Sequence, residues 1–160
     1  MKNDKTDNHE QIFWEEIDRL FPDMIKAIAS LSKKSYLSIT NLRTGITWWS
    51  ERAMDYFGMK ENYTIRSMEK ANRKIHPDDV ATFKRGFKER VDGKNLDTAW
   101  EYRIQDGDSY NRFNAMARVL YDEQKQPFII IIRYDNYGIS DEVDSVTGLY
   151  TEPALNRCIT

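Results

Sequence analysis

Apolar residues recur along this chain at two different periods, and the change of period divides it. Ile17, Leu20, Met24, Ala27 and Leu31 follow a 3-4-3-4 spacing, with Phe13, Phe21 and Ile28 widening the stripe, which is the signature of an amphipathic helix. Pro22 interrupts it. Proline removes a helical donor and suits a first turn, so the pattern predicts two shorter helices, with Pro22 opening the second. Residues 9–34 therefore read as a helical region that must bury its stripe, preceded by a polar, disordered tail over residues 1–8. Phe13, Ile17, Leu20, Met24 and Leu31 are the candidates for packing against an open sheet face and a symmetry mate, which predicts a homodimer.

From Ser35 the period becomes two. Tyr36 to Asn41 reads as a strand, Arg43-Thr44-Gly45 as a turn and Ile46 to Trp49 as the hairpin partner. Ser50 can cap a short helix that Gly58 ends. Lys60 to Lys74 is mixed and reads as short helical turns. His76-Pro77-Asp78-Asp79 is a helix start, because proline fits the first turn and acids fit the positive end of the helix dipole. Val80, Phe83, Phe87 and Val91 line one face of that helix, and Asp92-Gly93 ends it. Strands follow at Thr98 to Gln105, Tyr110 to Tyr121 and Phe128 to Tyr134, the last apolar on both faces. A sheet apolar on both sides needs two covers. The internal helices can supply one and the N-terminal helical region the other.

Composition narrows the chemistry. The 160 residues carry 24 basic and 26 acidic side chains, a formal net charge of -2. That balance gives no electrostatic case for nucleic acid or an anionic membrane surface. A 40% hydrophobic, 12% aromatic chain can build a core. The longest apolar run, Phe128 to Ile132, is far too short to span a bilayer, and no signal peptide is visible. One cysteine, Cys158, can form neither an internal disulfide nor a thiolate metal cluster, which fits a reducing cytoplasm.

The order of two strands, several short helices, one longer helix and three strands resembles a PAS domain of the PAC-containing bacterial sensory subclass. The resemblance spans Tyr36 to Asp135. Trp49-Ser50 with Tyr56-Phe57-Gly58 looks like the second strand and following helix, and Ile75-His76-Pro77-Asp78-Asp79 like the start of the long helix. Glu101-Tyr102-Arg103-Ile104, Asp106-Gly107 and Tyr110, then Asp122 and Pro127, look like the closing strands and turns. The resemblance implies an α+β fold: a five-stranded antiparallel sheet over residues 35–136, short helices on one face, the N-terminal helices on the other. It implies a sensor or dimerisation module rather than an enzyme, often with a small molecule between sheet and helices.

After a linker at residues 137–143, Asp144-Ser145-Val146-Thr147-Gly148-Leu149-Tyr150 resembles the D-x-L-T-G-L-Y/F-N-R opening of GGDEF domains, the diguanylate cyclase family. It departs at Val146 and at Thr151-Glu152, where the family has Asn-Arg. Asp144, Thr147, Gly148 and Leu149 mark the output junction, and residues 144–160 read as the truncated start of that domain. The resemblance implies the cytoplasmic input domain of a cyclic di-GMP signalling protein, with a C-terminal GGDEF domain as its partner. The alternative is a ligand-free module that holds output domains together.

Within the sensor, Trp100, Tyr102 and Ile104 share one strand face, and Phe113, Ala115 and Ala117 another. Together they can line a ligand cavity, the alanines making room, or fill a core. No ligand can be named. Nothing points to haem, since His76 reads as a helix-start residue, or to covalent flavin chemistry, since Cys158 lies outside the sensor. Trp48 and Trp49 face opposite ways on one strand, so at most one looks inward. Arg103 and Arg112 read as solvated arginines and Asp78-Asp79 as a dipole pair. No nucleophile triad, phosphate loop or metal spacing is present, so no catalytic residue is expected.

Overall fold

The computed structural model describes residues 4–31 and 35–139. The chain forms two units, Met1–Lys33 and Lys34–Thr160. In the first, α1 (Asp4–Asp18) and α2 (Phe21–Ser30) are separate helices, with Pro22 in the first turn of α2. The first helix begins inside the stretch expected to be a disordered tail. Further along α1, His9 to Glu15 are all exposed.

In the second unit the order is β1 (Ser35–Asn41), β2 (Ile46–Trp49), α3 (Glu51–Phe57), β3 (Tyr63–Ile65), α4 (Ser67–Asn72), a 3-10 turn (Pro77–Asp79), α5 (Val80–Val91), β4 (Trp100–Asp106), β5 (Ser109–Tyr121) and β6 (Pro127–Ile139). The strands form one sheet in the order β3-β2-β1-β6-β5-β4. All described pairings are antiparallel. The α+β sheet-and-helix architecture expected of this chain is present, with a sixth strand beyond the five. That strand, β3, lies in the segment read as helical turns. Three residues are too few to show a period, and pairing with β2 is what makes them a strand.

Local chemistry sets the helix ends. The Ser50 hydroxyl accepts the Ala53 amide at 3.3 Å and the Leu37 amide at 3.1 Å, capping α3 and tying it to β1. Gly58 closes α3 at φ +69, a left-handed conformation that costs glycine little. The last strand runs five residues past Tyr134, so Tyr137 to Ile139, expected in the linker, extend β6 beside β5. A register shift there gives β6 an extra residue: Phe113 pairs with Asn136, and Asn111 with Ile139.

The core lies between the sheet and α3 to α5. Trp49, Phe57, Phe113, Ile104, Ile130 and Ile132 are its large, fully buried side chains. Each contributes roughly 1.5–3 kcal/mol of burial free energy before entropy is counted.

Candidate functional site

Pairing of β4 with β5 brings the six sequence candidates onto one buried face. Trp100 lies opposite Ala115, and Tyr102 opposite Phe113. Trp100, Tyr102, Ile104, Phe113, Ala115 and Ala117 are all buried. The other neighbour of Ala115 is Tyr134 on β6, so one methyl group sits between an indole and a phenol ring. The room that alanine makes goes to these two side chains, large against small, as close packing requires.

Helix α5 closes over them. The Phe83 ring meets Tyr102 edge-on at 5.0 Å and lies 6.3 Å from Trp100. A Cβ on Gly86 would stand 3.0 Å from the Trp100 ring, so only glycine admits the indole this close. The Arg90 guanidinium stacks on that ring at 4.1 Å and donates to the Gly86 carbonyl at 3.2 Å. Burial lowers the Arg90 pKa, with Glu89 opposing. Arg90 is 3% exposed and was not anticipated. Its i+4 spacing from Gly86, on the stripe of Phe83 and Phe87, is the signal that could have found it.

What remains between sheet and helices is small. A cavity of about 10 Å3 lies among Phe57, Ala71, Phe83, Tyr102, Ile104 and Tyr134, room for about one water. The Tyr102 hydroxyl is buried there without a hydrogen-bond partner among the described residues. Burial, with the Tyr134 phenol adding, pushes its pKa well above the ordinary value. The Tyr134 hydroxyl pairs with Ser38 at 3.2 Å, and burial raises its pKa while that bond opposes. Tyr134 was not a candidate, although its period-two spacing from Ile130 and Ile132 marks the same face. Tyr56 is pushed up to about 12 by burial, against the Asn111 hydrogen bond of 3.0 Å.

Of the two tryptophans on β2, Trp49 faces inward, its indole N–H reaching Thr64 at 3.0 Å and Ser67 at 2.8 Å. The His76 ring Nδ1 accepts the Asp78 amide at 3.1 Å, a capping role. Arg103, read as a solvated side chain, is paired with Asp79 at 2.8 Å. Among the described residues no three His, Cys, Asp or Glu side chains are grouped to hold a metal.

The N-terminal candidates spread over both helices of the first unit. Phe13 and Ile17 lie on α1, Met24 within α2, and Leu20 and Leu31 at the two ends of α2. Phe13, Leu20 and Leu31 are exposed, while Ile17 and Met24 are half-buried. Asp144, Thr147, Gly148 and Leu149 lie outside the described residues. Among those described, no helix is long and apolar enough to cross a membrane.

Several solved structures share this fold. A sensory box histidine kinase/response regulator from Burkholderia thailandensis superposes with a TM-score of 0.54 at 16% identity, covering 72% of this chain and 83% of that one. The N-terminal domain of a diguanylate cyclase with PAS/PAC sensor from Marinobacter aquaeolei gives 0.54 at 15% identity, covering 66% and 96%. A PAS domain of a protein from Colwellia psychrerythraea gives 0.50 at 18% identity, covering 65% and 86%. At these identities the likeness is one of fold. No curated protein matches the chain. The sequence profile described as PAS fold matches residues 46–132, more than half of the chain. The order of strands, the helical cover and this match together place the chain in the PAS fold family.

Proposed function

We propose that the chain is a PAS regulatory input module of a cyclic di-GMP signalling protein, passing a change in its sheet to a C-terminal GGDEF domain, and that its trigger is a protein contact rather than a ligand inside the core. The filled core carries this reading: a cavity of about 10 Å3 leaves no room for an organic ligand. Output through β6 is supported by its place and length, since it is a central strand that continues to Ile139, a short linker before the segment that resembles the GGDEF opening. A sensor of this kind needs a partner that binds two states of the domain unequally. The chain itself performs no catalysis in this scheme, and a homodimer through the N-terminal helices brings two output domains together.

One observation favours a second reading, a small-molecule sensor. The Tyr102 hydroxyl, without a partner among the described residues, offers a buried polar handle that a small ligand could satisfy if α4 moved outward. Native mass spectrometry of freshly purified protein separates the two. Apo mass in a dimeric envelope supports the first reading, and a retained small molecule overturns it. For the output, cyclic di-GMP synthesis by the protein extended through the complete downstream domain is the expected result. Its absence, with no change in nucleotide binding on deleting residues 1–139, overturns the assignment.

A further inference from the structure

The two edges of the sheet are treated differently. On the β4 side the preceding chain covers the edge: the Gln105 amide donates to the Lys74 carbonyl at 2.7 Å, the His76 amide to the Arg103 carbonyl at 2.9 Å, and the Arg103 amide to Asp79 at 2.8 Å. On the opposite side β3 is the last strand among the described residues. The Trp49 amide donates to the Asn62 carbonyl at 2.8 Å, and Tyr63 pairs with Trp48, Thr64 with Thr47 and Ile65 with Ile46. Hydrogen-bonded and non-bonded pairs alternate in an antiparallel ladder. The N–H and C=O groups of Tyr63 and Ile65 therefore point outward, to an edge that no strand among the described residues covers.

A groove of about 640 Å3 follows this edge. Tyr63, Ile65 and Ile46 form one apolar wall, at 59%, 66% and 43% exposure. Lys60, Arg66 and Lys70 rim it with a single acid, Glu61. The rim is thus basic on a chain whose net charge is -2. Among the described residues none of these three cations forms an ion pair, and Lys70 is held in place by its bond to the Gly58 carbonyl at 2.7 Å. Arg66 has φ +56 at the turn from β3 into α4, a conformation that a non-glycine residue adopts at a cost.

We propose that this edge is a docking site for an extended acidic peptide of a partner protein, which adds a strand beside β3. Outward amides and carbonyls at Tyr63 and Ile65 supply the main-chain bonds, the apolar wall takes alternate side chains, and the cationic rim selects acids between them. A second copy of this chain is disfavoured as the occupant, because edge-to-edge pairing of two β3 strands brings two cationic rims together.

The test uses the full 160-residue chain and a fluorescein-labelled peptide of alternating valine and glutamate, with three comparison probes: the same peptide with lysine for glutamate, the same peptide N-methylated at alternate residues, and an oligothymidylate. The expected result is saturable, salt-sensitive binding that shifts the Tyr63 and Ile65 amide signals in NMR. Binding falls at least about tenfold for the N-methylated peptide and for the K60E/R66E double variant. Equal binding of the lysine peptide, stronger binding of the oligothymidylate, shifts confined to other strands, or no binding of the acidic peptide overturns the proposal. The N-methylated probe decides the matter on unaltered protein if the double variant fails to fold.

Discussion

Asp79 and Arg103 clamp the start of α5 to β4. One Asp79 oxygen accepts from the Arg103 backbone amide and from its Nε, both at 2.8 Å, and the other accepts from the guanidinium at 2.9 Å. Hydrogen bonding from the Arg103 side chain holds the Asp79 carboxyl below its ordinary range, against an opposing effect of burial.

Asp79→Asn should lower stability by about 1.5 kcal/mol, since it removes a charge-assisted pair that is only partly shielded from water. The pH dependence has a definite sign. The folded pKa lies below the unfolded value of about 3.9, so the stabilisation is complete above that value and is lost as pH falls through the folded pKa. Asp122, held down first by the Gln126 amide, adds to the same acid loss. Urea denaturation from pH 7 to pH 2.5 should show the gap between wild type and Asp79→Asn closing at the acid end. A constant gap refutes the assignment.

Gly86→Ala should destabilise the protein by about 1 kcal/mol. Alanine is the better helix former by a similar amount, but its methyl would press on a Trp100 ring that Arg90 holds from one side. Overpacking of a buried ring outweighs the propensity gain. In a Trp100→Phe background the same substitution should become stabilising, and thermal melts of the four proteins in this cycle decide the sign.

Two buried phenols should respond in opposite directions. Tyr102→Phe removes a hydroxyl without a partner among the described residues and should raise stability by about 1 kcal/mol. Tyr134→Phe breaks the bond to Ser38 and should lower it by a similar amount. Loss of stability in Tyr102→Phe would show that a buried water serves that hydroxyl.

The stripe on the N-terminal helices should govern self-association. Ile28 and Leu31 are 56% and 84% exposed, and a charge there opposes burial against a second copy. I28E/L31E should shift the protein towards monomer in sedimentation experiments while the circular dichroism of the PAS unit is retained. An unchanged oligomeric state removes these helices from the interface.

Much of this protein is legible in its residue pattern. The change from helical to period-two spacing at Ser35 separates the two units, Ser50 and Gly58 bracket α3, and alternation along β4 and β5 selects the residues that face the core. These features are local: a helix or strand shows its buried face in its own spacing. Tertiary structure decided what local spacing leaves open. Ala115 reads equally as the wall of a cavity or as packing space, and only its register between Trp100 and Tyr134 shows that the space is filled. Arg103 reads as a surface cation until strand β4 comes to lie against the start of α5. The β3 edge, unpaired among the described residues, exists only because β2 recruits three residues without a period of their own. Period two tells a strand which side to bury. It does not choose the neighbours: strand pairing placed Ala115 and made the β3 edge, and the packing of β4 on the start of α5 gave Arg103 its partner.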